Sequence, residues 1–99
     1  MISPIVNRDR EPGMQRFGEK LRTLRHRHDI TQMRLAAEFG FSTNTYIGLI
    51  EHGKKQPSLM FVIRIADLFD VSIDQLLRDY LELPPPELTH WTGTIENTT

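Results

Sequence analysis

Between Met14 and Tyr80, apolar residues recur at steps of three and four in five separate stretches, each bounded by a glycine, a proline or a residue that caps helices. This periodicity draws one apolar stripe along each of five short helices. Helices of that length are marginal in water by themselves, so they must bury their stripes against one another. No strand-helix alternation, heptad or internal repeat interrupts the pattern, and the expected class is all-α, a compact five-helix bundle. At 99 residues, 38% of them hydrophobic, the chain has material for one modest core and none for a second catalytic domain.

The elements can be placed along the chain. Residues 1–13, with Pro4, Pro12 and Gly13, read as an arm. Met14, Phe17, Leu21 and Leu24 share one face of a first helix ending near His28. Thr31 caps a second helix that buries Leu35, Ala36 and Phe39 and stops at Gly40. Ser42 or Thr43 caps a third, carrying Tyr46, Ile47, Leu49 and Ile50 and closed by Gly53. After the basic loop Lys54-Lys55-Gln56-Pro57, Ser58 caps a fourth helix over Leu59, Val62, Ile63, Ala66 and Phe69; Met60, Phe61, Ile65 and Leu68 make it apolar nearly all round. Ser72 and Gln75 form a capping box for a fifth, with Ile73, Leu76, Leu77 and Tyr80 on one face. Pro84, Pro85 and Pro86 end it and lead a threonine-rich tail containing Trp91 and Ile95, in which a short strand would fit. The expected division is an arm at 1–13, a domain at 14–83 and a tail at 84–99.

Charge is divided unevenly. Residues 1–55 carry ten Lys or Arg against six Asp or Glu, net +4, and residues 56–99 carry two against seven, net -5. A basic working face on an acidic body is the expectation. The absence of cysteine excludes a disulfide framework, a thiolate nucleophile and a cysteine zinc site, and fits a reducing, cytoplasmic setting. Apolar runs are far too short for a membrane span. His26 and His28 diverge on a helix, and neither they nor His52 have carboxylates at metal spacing. With no phosphate loop, serine nucleophile motif or paired catalytic carboxylates, neither an enzymatic activity nor a cofactor is expected.

Two short helices joined by a glycine-containing turn and supported by a bundle make a helix-turn-helix unit. Over about residues 14–80 the sequence resembles the lambda repressor-like family of DNA-binding domains, the Cro/C1 or XRE type. The resemblance rests on Ile30-Thr31-Gln32 with Leu35-Ala36, Phe39-Gly40-Phe41-Ser42, Tyr46-Ile47 with Ile50-Glu51-His52-Gly53-Lys54, Pro57-Ser58-Leu59, and Ile65-Ala66 with Phe69 and Val71-Ser72. One departure stands out: Gly40 and Glu51 are one residue further apart than the family pattern has them. The third helix then has two registers, one burying Tyr46 and Leu49 and the other Ile47 and Ile50. The second keeps Ile50-Glu51-His52-Gly53 in the family frame and is preferred. It turns Thr43, Asn44, Thr45 and Gly48 toward a DNA groove.

The resemblance implies double-stranded DNA as partner, with a recognition helix at about 43–52 in the major groove. Asn44 is either the adenine reader, through its carboxamide, or a cap. Thr43 and Thr45 bond bases or phosphates, or cap. Tyr46 reaches phosphate or thymine, or is a core aromatic. Gln32 matches the glutamine that clamps a phosphate beside a helix N-terminus. Arg22, Arg34, Lys54 and Lys55 are further phosphate candidates, with Arg8 and Arg10 of the arm behind them. Arg25 and Glu51 resemble an ion pair bracing the first helix to the third. Phe61, Leu68, Leu76, Tyr80 and Leu81 read as surplus apolar surface for a homodimer on a palindromic operator, with Trp91 packing on the second copy; closure of that surplus over Ile2, Ile5 and Val6 is the alternative. The expected function is a repressor-like transcriptional regulator. The competing class is a protein-interaction module or antitoxin-type partner protein on the same fold, suggested by a third helix without Lys or Arg.

Overall fold

The computed structural model describes residues 14–94. Among them are five α-helices and no strand: α1 Phe17–Arg27, α2 Gln32–Glu38, α3 Thr45–Glu51, α4 Leu59–Phe69 and α5 Ile73–Leu77, followed by one 3-10 turn at Pro86–Leu88. Three helices start where a hydroxyl takes an orphan N–H of the first turn. Thr31 accepts from Arg34 N and Ser58 from Phe61 N, while Ser72 and Gln75 complete the capping box. The cap expected at Ser42 or Thr43 is instead Asn44, whose side chain makes no cap bond; Thr43 Oγ1 accepts from Thr45 N at 3.3 Å. Asn44 is drawn elsewhere, as shown below.

Four helices close alike. After α1, α2, α3 and α4 a residue with positive φ lets the following N–H reach back into the last turn: Ile30 N to Arg25 O, Phe41 N to Ala36 O, Lys54 N to Leu49 O and Val71 N to Ala66 O, all at 2.9–3.0 Å. Gly40 (φ 77°) and Gly53 (φ 73°) fill that role after α2 and α3, Asp29 (φ 56°) and Asp70 (φ 58°) after α1 and α4.

The core gathers Phe17, Leu21 and Leu24 of α1, Leu35 and Ala36 of α2, Ile47 and Ile50 of α3, six residues of α4 and Leu76 of α5. Phe61 is the centre of an aromatic cluster, with ring centroids 4.7 Å from Phe39, 5.1 Å from Tyr46 and 6.2 Å from Phe17. Phe61, Leu68 and Leu76 are therefore not free surface, and the surplus expected to bury on a second copy is largely consumed inside one chain. Of that set Tyr80 is openly exposed and Leu81 half-buried. Helix α5 ends at Leu77, well before the prolines, and tertiary donors serve carbonyls at its end and in the segment after it. The Lys20 ammonium donates to the carbonyls of Gln75, Arg78 and Leu81 at 2.7–2.9 Å, and Met14 N donates to Leu77 O at 2.8 Å. Burial pushes the Lys20 amine down from its ordinary value, yet all three of its protons have acceptors.

Among the described residues the tail forms no strand, and it packs on its own chain. Trp91 lies 5.2 Å from Phe69 of its own chain, His90 N donates to Phe69 O, and Thr92 N donates to Leu68 O. The tail thus serves the open C-terminal end of α4. His28 holds it from the other side, with its ring 5.8 Å from Phe69 and Nε2 3.0 Å from Thr89 Oγ1. Thr89 gives its own proton to Pro86 O, so His28 Nε2–H is the donor. The prolines and the 3-10 turn place Thr89 for this contact. The arm residues Ile2, Ile5, Val6, Arg8 and Arg10, and Ile95 of the tail, lie outside the described residues.

Helices α1 and α3 cross in contact at Gly18. A Cβ there would lie 2.3 Å from Ile50 O and 2.9 Å from Glu51 O, both backbone atoms. Gly18→Ala therefore forces the two helices apart, and the expected loss is about 3 kcal/mol, the upper part of the range for overpacking. A thermal melt should show it as a fall in Tm of roughly 12 °C or more.

Burial, with Arg27 and His90 nearby, lowers the His28 pKa below its ordinary 6.5, and Asp29 opposes the shift only in part. The folded state then binds fewer protons than the unfolded one, so stability falls as pH drops through and below that value. His28→Gln removes this part of the acid dependence. Melts followed by Trp91 fluorescence should show the gap between wild type and variant narrowing from about pH 7.5 to pH 5.5; parallel curves would remove His28 as the cause.

Candidate nucleic-acid interface

A chain of four polar side chains links three helices. Arg25 of α1 donates through Nε to Glu51 Oε2 at 2.6 Å and through Nη2 to Oε1 at 2.9 Å, and its Nη1 donates to Ile30 O at 2.8 Å. The two side chains are 8% and 1% exposed, so the pair is shut off from water. Gln32 at the start of α2 donates from Nε2 to Glu51 Oε1 at 3.0 Å. Its Oε1 in turn accepts from Asn44 Nδ2 at 2.9 Å. A carboxylate only accepts, so the polarity of the whole chain is set at Glu51: Gln32 must turn its NH2 to the acid and its carbonyl to Asn44. Asn44 keeps Oδ1 and one N–H without a partner among the described residues.

The register of α3 follows from the same packing. Ile47 and Ile50 are buried at 0% and 2%, and Leu49 is 37% exposed. Phe41 to Asn44 form a non-helical turn between α2 and α3. Thr43 and Thr45 are exposed, with hydroxyl oxygens 3.2 Å apart. Tyr46 is turned inward: its ring packs against Phe61 and Phe41, and its hydroxyl accepts from Ser58 N at 3.1 Å. Tyr46 thus braces α3 against the start of α4.

The cationic candidates divide. Lys54 and Lys55 are exposed directly after α3, and Arg22 is exposed on α1. Arg34 is held by the tail through Nη2 and the Thr94 carbonyl. Gln32 gives one N–H to Glu51 and its carbonyl to Asn44, which leaves its second N–H without a partner among the described residues. His52, read in the sequence only as a non-ligand, donates from its backbone N and from Nδ1 to Gly48 O, at 3.0 and 2.8 Å. The four-residue step from Gly48 was the signal available for that contact. Among the described residues no group of three His, Asp or Glu is placed to hold a metal, and no helix is long and apolar enough to cross a membrane.

Residues 16–81 match the family model described as a helix-turn-helix domain. The chain belongs to that family. It is similar to the uncharacterized HTH-type transcriptional regulator YobD of Bacillus subtilis, with 32% identity over 92 residues covering 78% of this chain and 79% of the relative. It is also similar to the uncharacterized HTH-type transcriptional regulator MJ0272 of Methanocaldococcus jannaschii, with 42% identity over 57 residues covering 58% of this chain and 85% of the relative. No solved structure matches. In the helix-turn-helix of this chain, α2 and α3 are the paired helices, and the polar chain ends at the residue that opens α3.

Glu51→Ala leaves the Arg25 guanidinium buried without its carboxylate and leaves Gln32 without an acceptor. The expected cost is about 3 to 5 kcal/mol, a large share of a small domain's stability. Urea denaturation decides the point, with the exposed Glu87→Ala as control; equal midpoints for the two variants would show that the pair carries no stability.

Proposed function

We propose that the protein is a DNA-binding transcriptional regulator of the Cro/C1 type, which lays α3 in the major groove of a double-stranded operator and reads it mainly through Asn44. Membership of the helix-turn-helix family and relatives named as transcriptional regulators support the class. The observation that carries the reading is the carboxamide of Asn44, held at one N–H by Gln32 and left with an acceptor and a second N–H unpaired among the described residues. Those two groups are what bidentate recognition of adenine N6 and N7 requires. Thr43 and Thr45 stand beside it with hydroxyls for bases or phosphates. Lys54, Lys55 and Arg22 supply the charge that phosphates need. Gln32 acts through Asn44, as a positioning residue, and the ion pair of Arg25 and Glu51 holds Gln32.

A single copy makes few base contacts, so useful affinity calls for a homodimer on a palindromic site with half-sites about 34 Å apart. The apolar surface available to a second copy is Tyr80, Leu59 and Met60, each at least 65% exposed. Repression by occupying the operator is the simplest mode of action for a helix-turn-helix domain, and the cytoplasm is where it would act. The competing reading, a protein-interaction module, is favoured by Met33, Phe41 and Leu49, which stay 37–49% exposed in the α2–α3 unit.

Selection of duplexes from a random pool, followed by titration at several salt concentrations, tests the reading. Affinity should fall with salt at a log-log slope of roughly 0.9 per neutralised phosphate. Lys54→Ala should weaken binding to every duplex alike and reduce that slope by about 0.9. Asn44→Ala should cut the preference for the selected site by roughly 5- to 150-fold with the slope unchanged. Gln32→Ala should lose preference in the same direction. Binding that is indifferent to both salt and sequence would sink the proposal in favour of the protein-interaction module.

A further inference from the structure

Gly48 lies in the interior of α3, where glycine is among the poorest choices for a helix. The fold does not call for it. A Cβ at position 48 would meet only Gln32 Oε1, at 3.6 Å, an ordinary contact, whereas the same test at Gly18 strikes backbone. Nor is its backbone left-handed: positive φ among the described glycines occurs at Gly40 and Gly53. Gly48 lies instead in an open surface depression of about 440 Å³, bordered also by Gln32, Asn44, Thr45, Leu49, His52 and Lys54.

The chemistry of this depression is one-sided. The Gly48 N–H is given to Asn44 O at 2.9 Å, and the Gly48 carbonyl accepts from both His52 donors. The floor therefore offers a ligand no unmet hydrogen-bonding group. Its partly exposed wall is Leu49. A phosphate oxygen would find no donor at the floor, while a methyl group would displace only water. Asn44, at the rim, carries the free amide groups that suit an adenine edge.

Resting on the reading of α3 as the groove helix, we infer that Gly48 is a specificity-determining residue, its bare backbone seating a thymine C5-methyl next to the adenine bound by Asn44. Thymine is distinguished in the major groove by that methyl alone among its apolar features, and it needs a van der Waals seat rather than a donor. An alanine at 48 fills the seat with the protein's own methyl and holds the base edge off. Asn44 then reads an A·T-containing step whose second element is scored by shape.

The test pairs a protein variant with a DNA variant. Gly48→Ala should fold normally, with Tm raised by about 4 °C because the helix gains a better former without a clash. Its affinity for the duplex selected by wild type should fall roughly 10-fold, with the salt slope unchanged. Replacing each thymine of that duplex by deoxyuridine in turn removes one methyl at a time. At one position per half-site, wild type should lose about 4-fold in affinity, and Gly48→Ala should lose nothing further. A wild type that selects no duplex from the pool overturns the DNA-binding reading itself. A wild type that selects one, with Gly48→Ala binding it equally well or with every deoxyuridine position neutral, overturns the present inference and leaves that reading standing.

Discussion

The carboxylate of Glu51 is the point on which the helix-turn-helix unit turns. It sits at the last position of α3, 1% exposed at the side chain, and takes three hydrogen bonds from two other helices. A buried charge of this kind is tolerated only when its lone pairs are met, so Arg25 and Gln32 have no latitude in how they approach it. Their approach depends on helix spacing. Gly18 lets the backbone of α1 lie against that of α3, which brings Arg25, two turns further along α1, level with Glu51. A side chain at 18 would open the crossing and stretch the charge pair. The steric constraint and the electrostatic one therefore hold the same two helices in one position.

Charge partition, so marked along the sequence, is partly undone by folding. Asp79 accepts from the backbone N–H groups of Gln15 and Arg16, and the Arg16 guanidinium binds both oxygens of Glu82. The acidic half thus caps the start of α1 in the basic half. Lys20 answers from α1, closing the end of α5 with its ammonium. Several residues counted toward a basic working face are in this way internal fasteners, and the exposed positive charge beside α3 narrows to Lys54 and Lys55. The C-terminal tail is a fastener too, since its backbone fills the hydrogen-bonding vacancies at the end of α4 while Trp91 covers Phe69.

Most of the fold was legible because its signals are local. Thr31, Ser58 and Ser72 announce helix starts through bonds three residues away, and the frame Ile50-Glu51-His52-Gly53 picks the register of α3, which spacing alone leaves open because Tyr46 and Leu49 are three apart like Ile47 and Ile50. Gly40 and Gly53 mark their turns, but Asp29 and Asp70 do the same work and carry no comparable mark, since aspartate is far more often an ordinary surface acid. Tertiary contacts were the part that period and composition do not encode. Lys20 carries no sequence signal for the three carbonyls at and beyond the end of α5 that take its protons. Phe61, Leu68 and Leu76 read as surplus until the tail and the aromatic cluster enclose them. Tyr46 reads equally as a groove residue or a core aromatic until its ring is seen against Phe61 and its hydroxyl at Ser58 N. In the site, Arg25 and Glu51 could be matched by motif, but the link through Gln32 to Asn44 needed coordinates, because residues 32 and 44 meet only across the turn.

That link bears on how a helix with no Lys or Arg could discriminate among DNA sequences under the proposed function. A free asparagine must lose rotamer freedom to meet a base, and the loss subtracts from whatever the two hydrogen bonds contribute. Asn44 is already tethered, so little of that cost remains at binding. Its tether also fixes which end of the amide faces outward, and adenine, with a donor at N6 and an acceptor at N7, is matched only in one sense. Affinity and discrimination are then supplied by different groups: exposed lysines that respond to salt and are blind to sequence, and a preorganised amide whose orientation is set through Gln32 by a carboxylate on the far end of the same helix.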